Sequence, residues 1–268
     1  MRSSSFFFSL LISASLFLNG QAEAPDTLPE LPKRGQKAFK EGEYLKYRIH
    51  YGIINAGRAE LRIKNLEFRE NRPVFHVVGT GRSVGMAEVF FRTRDRYESW
   101  IDAEALVPWE FVRDVDEGGY IIERHLRFDR YKNTAKDSKL RRDTVFAIPD
   151  DAQDMLSAFY YARSIDAKGL RKGDLIPVNI FLDHKVFAFQ LKYMGKETVK
   201  SKFGKIRCLK FMPTVQEGRV FKEKEGMLLW VSDDENKVPI RLETELVVGS
   251  IKMDISDYKN LRHPIRFD

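Results

Sequence analysis

The sequence predicts a mainly β protein: an antiparallel, strongly curved sheet or partly open barrel, with one principal α-helix at about 151–166 packed against it. Three observations carry this expectation. Gly42 to Ile63 alternates apolar and polar side chains on both arms of a turn-rich connection, the period of two that a half-buried hairpin requires. Strand-like runs and turn signals then recur at about 8–12 residues, the spacing of curled or closed antiparallel sheets. One stretch, Asp150 to Gly169, instead carries apolar residues at helical spacing.

The chain starts with a basic residue, Arg2, an apolar run from Phe6 to Leu18 and then small residues, the layout of a secretory signal peptide. Cutting after Ala24 would leave Pro25 at the new terminus, so the expected cut follows Ala22 and the signal is 1–22. The apolar run is about 13 residues, short of the ~20 a spanning helix needs. No other long apolar run follows, so the mature protein is expected to be soluble, periplasmic and without a transmembrane segment. Residues 23–41 contain Pro25, Pro29 and Pro32 without periodicity and are expected to be a flexible leader. Residues 42–268 are then one exported β-rich domain, or two β lobes joined by the helix.

In the opening hairpin Leu45, Tyr47, Ile49 and Tyr51 share a face, and Gly52 to Gly57 makes the turn. Pro73 to Thr80 is a short apolar strand. Met86 to Phe91 fits one helical turn or the start of the next strand. Arg92 to Ile101 is a charged strand. Trp109 to Asp116 and Tyr120 to Arg130 flank the hairpin turn Glu117-Gly118-Gly119, and Tyr131 to Ile148 reads as an exposed hairpin around Ser138 to Arg142. The acids of Asp150 to Asp154 supply N-cap candidates. Met155, Leu156, Ala158, Phe159, Ala162 and Ile165 give that helix a face too broad to leave in water. Strands resume at Leu175 to Leu182 and Val186 to Met194. Gly195 to Lys202 and Lys205 to Val215 flank Phe203-Gly204, with a further turn at Glu217-Gly218-Arg219. Gly226 to Val231 is continuous and apolar, suited to a central strand. Ser232 to Lys237 turns, Pro239 to Val248 is a strand, and Ile251, Met253 and Ile255 alternate to the end.

The chemistry-bearing residues are sparse. Without the signal the chain loses one arginine and no acid, and its net charge falls from +7 to about +6. Such a balance suits anionic lipid headgroups or acidic polymers, but the basic residues are interspersed with acids along the chain. Nothing indicates nucleic acid. Cys208 is the only cysteine, so no disulfide forms within the chain, and its strand-like setting indicates a buried thiol. Gly81-Arg82-Ser83-Val84-Gly85 matches the G-x-S-x-G elbow of hydrolases, yet no alternating βα series follows to build the parallel sheet that motif needs. His50, His76, His125, His184 and His263 are isolated from one another and from Cys208, so no metal site and no cofactor is implied. Tyr47, Tyr51, Phe159, Tyr160, Phe187, Phe189 and Trp230 are the candidate ligand-binding residues, lining either a lipophilic pocket or a filled core.

Several short stretches in order resemble the bacterial exported family called domain of unknown function 3108. They are Gly42-Glu43, Tyr51-Gly52 and Ala56-Gly57; Asp154 to Tyr161; Tyr193 to Glu197; Phe203-Gly204 with Cys208; Trp230 to Asp234 with Pro239; and Gly249-Ser250. The resemblance implies a predominantly β exported domain and brings no catalytic residue with it. The plan is also similar to that of periplasmic lipoprotein carriers, an analogy of fold alone. The leading expectation is a non-enzymatic binder of a hydrophobic or amphipathic envelope component, a lipid or glycolipid. An alternative is an interaction module docking on an envelope protein or polysaccharide; a remote one is a serine hydrolase through Ser83. Oligomeric state is not legible.

Overall fold

A computed structural model describes residues 30–215 and 226–267. The expected signal at 1–22, the leader up to residue 29 and the turn at Glu217-Gly218-Arg219 lie outside the described residues. The alternating runs become fourteen strands: β1 (Tyr44–Tyr51), β2 (Ile54–Arg69), β3 (Arg72–Ser83), β4 (Thr93–Asp102), β5 (Pro108–Glu117), β6 (Tyr120–Asp129), β7 (Thr134–Asp137), β8 (Val145–Ala147), β9 (Leu175–Leu182), β10 (Lys185–Ser201), β11 (Gly204–Val215), β12 (Met227–Ser232), β13 (Pro239–Glu245) and β14 (Ser250–Lys259). Two helices interrupt them, α1 (Met86–Phe90) and α2 (Met155–Ser164).

All fourteen strands belong to one antiparallel sheet in the order β8-β7-β6-β5-β4-β3-β2-β1-β14-β13-β12-β11-β10-β9. Apart from the β1–β14 pair, every neighbour is also the neighbour in sequence, the arrangement with the smallest loop-closure cost. The two sheet edges, β8 and β9, are not joined by a ladder. Laid flat, thirteen strand spacings would separate them by roughly 60 Å. Instead Phe146 of β8 lies 5.8 Å from Phe181 of β9, ring to ring, and His184 beyond β9 bonds to Asp137 of β7 at 2.8 Å. The sheet therefore curls on itself almost fully, leaving one seam. The fold class is the one the periodicity predicts.

The seam is where α2 enters. Before the helix, Gln153 forms a parallel bridge with Ile180, its N–H bonding to the Asn179 carbonyl at 2.8 Å. This use of the backbone in pairing with β9 makes the helix shorter than the expected 151–166. Asp154 is the N-cap, accepting from the Leu156 and Ser157 amides at 2.7 and 2.8 Å while Ser157 Oγ accepts from the Asp154 amide. Ser99 Oγ of β4 donates to the same carboxyl at 2.6 Å. Burial pushes the Asp154 carboxyl up to about 6, and those hydrogen bonds oppose the rise.

The helix lies in the concavity of the sheet. Leu156 and Tyr160 pack with Ile63, Val77, Phe111, Leu126 and Phe181 of surrounding strands. Phe159 packs against a second cluster around Tyr47, Trp230, Ile240 and Ile255. Ala162 packs against a third, of Leu191, Leu209, Phe211 and Val231. This is why the apolar face is so broad: strands surround it on several sides. Arg163 of α2 is fully buried. Its guanidinium forks onto the buried Glu43 carboxylate and donates to the carbonyls of Asn236 at 3.0 Å and Ala38 at 3.3 Å. One side chain thus ties the helix to the start of the sheet and to the β12–β13 connection.

Several local expectations change. The opening turn is the two-residue Gly52-Ile53, because β2 already starts at Ile54. A bulge at Ala56 of β2 shifts the register opposite Ile49 and His50; His50 is buried where its ring meets the Gly52 carbonyl and Asp254, and Tyr51 is exposed. Met86 to Phe91 forms the short helix α1 rather than a strand. Gly195 does not start a strand; with φ of 108° it occupies the bulge within the long β10. Phe39, read as leader, is wholly buried against Phe75 and Tyr160. The strand expected to be central, now β12, is paired on both sides.

Candidate functional site

Between α2 and the wall formed by β9 to β13 lies an apolar cavity of about 220 Å³. On the helix side Ala158 and Ala162 stand one turn apart, so their short side chains leave the space open. Phe189, Leu209, Phe211 and Val231 form much of the opposing wall. The strands that hold them are paired on both sides, and the capped, ion-paired helix is fixed at both ends. The cavity is therefore built on rigid elements. Arg163 and Lys237 are the charged residues at its border. The guanidinium of Arg163 is taken by Glu43; the Lys237 side chain has no ion pair among the described residues.

Two of the seven candidate aromatic residues line this cavity, Phe159 and Phe189. Tyr47 and Trp230 belong to the buried core of the second cluster, and Tyr160 to the first. The hydroxyls of Tyr47 and Tyr160 are buried without a hydrogen-bond partner among the described residues. Burial raises both phenols well above their ordinary range. Tyr51 is exposed at the first turn, where its hydroxyl donates to the Val248 carbonyl at 3.1 Å. Phe187 is half-buried on β10 and does not reach the cavity lining. The sequence reading missed the aliphatic wall and the two alanines. The alanine pair at helical spacing within an otherwise bulky helix was the available signal.

The polar residues are occupied elsewhere. Ser83 ends an antiparallel strand, and its Oγ accepts from the Thr93 amide at 2.9 Å; no parallel sheet lies beneath it, so the elbow geometry is absent there. Each histidine is held by a carboxylate: His50 by Asp254, His76 by Glu67 and Glu98, His125 by Glu110, His184 by Asp137 and His263 by Glu235. Among the described residues no group of three His, Cys, Asp or Glu side chains is arranged to hold a metal ion. Burial pushes the Cys208 thiol up to about 12, which keeps it protonated and unreactive at neutral pH. No helix among the described residues is long and apolar enough to cross a membrane.

A curled antiparallel meander with a helix in its concavity and an apolar space beside that helix defines a β-barrel-like protein left open along one seam. The chain belongs to the family described as Protein of unknown function (DUF3108), whose model matches residues 46–256. In fold it is similar to a beta-barrel-like protein of domain of unknown function DUF1849 from Brucella abortus. That similarity has a TM-score of 0.55 and 11% identity, over 84% of this chain and 99% of that one. It is more distantly similar to a DUF1089 family protein from Pseudomonas aeruginosa, at a TM-score of 0.33 and 13% identity, over 68% of this chain and 87% of that one. No curated protein matches the sequence.

Proposed function

We propose that this protein is exported to the periplasm and holds an apolar segment of an amphipathic envelope component, an acyl chain of a lipid or glycolipid, between α2 and β9–β13. It performs no chemistry on that ligand. The observation that carries the reading is the rigid apolar cavity kept open by Ala158 and Ala162. Its size decides the ligand class. About 220 Å³ lies below the 300–1,000 Å³ of pockets for drug-sized molecules. A flexible chain segment fits that space better than a rigid polycycle. Lys237 at the border supports a headgroup that carries negative charge. The N-terminal apolar run supports export.

Native mass spectrometry of protein purified from the cell envelope tests this, together with uptake of a fluorescent fatty acid. A bound lipid and saturable uptake are expected. Ala162→Leu places three more carbons in the cavity and is expected to lower uptake at least tenfold while raising the melting temperature. A ligand-free mass with no uptake, or undiminished uptake by Ala162→Leu, refutes the proposal.

A further inference from the structure

The register gathers arginines that the linear sequence scatters. Arg48 of β1 stands opposite Arg58 of β2, Arg58 opposite Arg82 of β3, and Arg82 opposite Arg94 of β4. Directly paired residues share a face with Cβ atoms about 5 Å apart, so four guanidinium groups form one row. The row lies on the outer face, since Tyr47, Ala59 and Gly81 alternate with it on the other. Like charges set opposite one another are destabilising. The neighbouring groups relieve this only at the ends. Arg48 bonds to Asn55 and the Ile53 carbonyl, and Arg94 to Glu88 and the Thr93 carbonyl. Asp254, next to Arg48 in the row, is held by Arg241 and His50. Asp116, next to Arg94, faces Arg92 at 3.8 Å. In the adjoining row Glu60 pairs with Lys46, and Arg96, which stands opposite Asp114, is held by Glu98 from one row further on. Arg58 and Arg82 have neither an ion pair nor a side-chain hydrogen bond among the described residues.

A second feature adjoins the row. In an antiparallel meander alternate connections fall at the same end of the sheet. This places the β1–β2, β3–β4, β5–β6 and β13–β14 connections together. They carry exposed large apolar side chains: Ile53 is 94% exposed, Phe90 81% and Val89 76%, with Ile121 and Val247 also exposed. The connections touch one another. The Gly118 amide bonds to the Arg92 carbonyl at 2.7 Å, a Cβ on Gly118 would meet Phe91 at 2.9 Å, and Tyr51 reaches the Val248 carbonyl. A contiguous apolar rim of this kind marks a contact surface.

We infer that this end of the sheet docks on an anionic lipid bilayer, with the apolar rim in the headgroup–acyl boundary and the arginine row against the lipid phosphates. The dimensions agree. Arg48 and Arg58 lie three and four residues from the ends of their strands at the rim, roughly 10–13 Å, and Arg82 and Arg94 one residue from the ends of theirs. Apolar anchors enter about 5–10 Å into the interface, and an extended arginine side chain spans the remainder. Charge complementarity selects an anionic surface over a second copy of this chain, which would bring a like-charged row toward its own. The inference concerns a different surface from the cavity and does not rest on it.

Vesicle flotation of the mature chain tests it, with vesicles of phosphatidylcholine alone and vesicles that also contain phosphatidylglycerol. Binding to the anionic vesicles is expected, weakening as salt rises. Each basic residue near an anionic surface is worth about fivefold in binding. Arg58→Gln with Arg82→Gln should therefore weaken binding about 25-fold without lowering the melting temperature. Phe90→Ser with Val247→Ser should abolish binding and leave fatty-acid uptake intact. Equal binding to both vesicle types, no binding to either, or unaltered binding by the arginine variant overturns the inference. Self-association abolished by the rim variant, with vesicles ignored, overturns it as well.

Discussion

Arg163→Met tests the central claim about how the helix is held. The substitution removes the guanidinium but keeps an apolar stem of similar length. Glu43 then remains as a fully buried carboxylate without its cation, and the Asn236 and Ala38 carbonyls lose donors. Removing one member of a buried ion pair costs about 3–5 kcal/mol. Typical domains have only about 5–15 kcal/mol of stability in total, so the loss is a large fraction of it. For a chain of this size it corresponds to a fall of about 10 °C in melting temperature. Urea unfolding followed by tryptophan fluorescence measures it. The double variant Glu43→Leu/Arg163→Met removes both charges, and replacing a buried pair by apolar groups is often neutral. It should recover more than half of the loss, the remainder reflecting the two carbonyls. A cost under about 1 kcal/mol for the single variant, or a double variant no more stable than the single, would refute the argument that a desolvated pair fixes the helix.

Asp154→Ala removes a cap that two amides and Ser99 share and should cost about 2 kcal/mol by urea unfolding, with Asp154→Asn losing less. Gly57→Ala sets a Cβ 2.9 Å from the Arg82 carbonyl oxygen; a strand must shift, and a loss of about 1–3 kcal/mol is expected in thermal melts. Stability should rise as pH falls from 7 to 5. Burial, with repulsion from Glu117, pushes Asp95 up to about 6, and burial pushes Asp154 to a similar value, so the folded state takes up protons before the unfolded state does. Below about pH 4 the trend reverses. Asp102 is buried, but hydrogen bonds from Arg72, the Ala105 amide and Trp109 outweigh that and hold its carboxyl below the ordinary value; Asp254, with Arg241 and His50, behaves alike. Melting temperatures across this range check both signs, and Asp95→Asn should flatten the rise between pH 7 and 5.

Much of the architecture was legible because strand and helix periodicities are local. The alternation from Leu45 to Tyr51, the Gly118-Gly119 turn and the apolar spacing from Met155 to Ile165 each specify an element from a few neighbouring residues. The candidate site was legible only in part. Aromatic residues marked apolar surface, but Phe159 and Phe189 face a cavity while Tyr47, Tyr160 and Trp230 face packed neighbours. That difference depends on which strands stand opposite, a relation between residues far apart in the chain. The cavity itself follows from small residues, Ala158 and Ala162, whose significance appears only beside the wall they fail to fill.

By itself the sequence determined a mainly β chain with one principal helix, an apolar N-terminal run and a lone cysteine, because composition and period act residue by residue. Tertiary structure alone decided the pairing of β1 with β14, the burial of Phe39, the Arg163–Glu43 tie and the alignment of Arg48, Arg58, Arg82 and Arg94. A single bulge, such as that at Ala56 of β2, changes which face the side chains beyond it take, and the curl of the sheet decides which faces meet. Those outcomes are set by register and closure over the whole sheet, and no short window of sequence contains them.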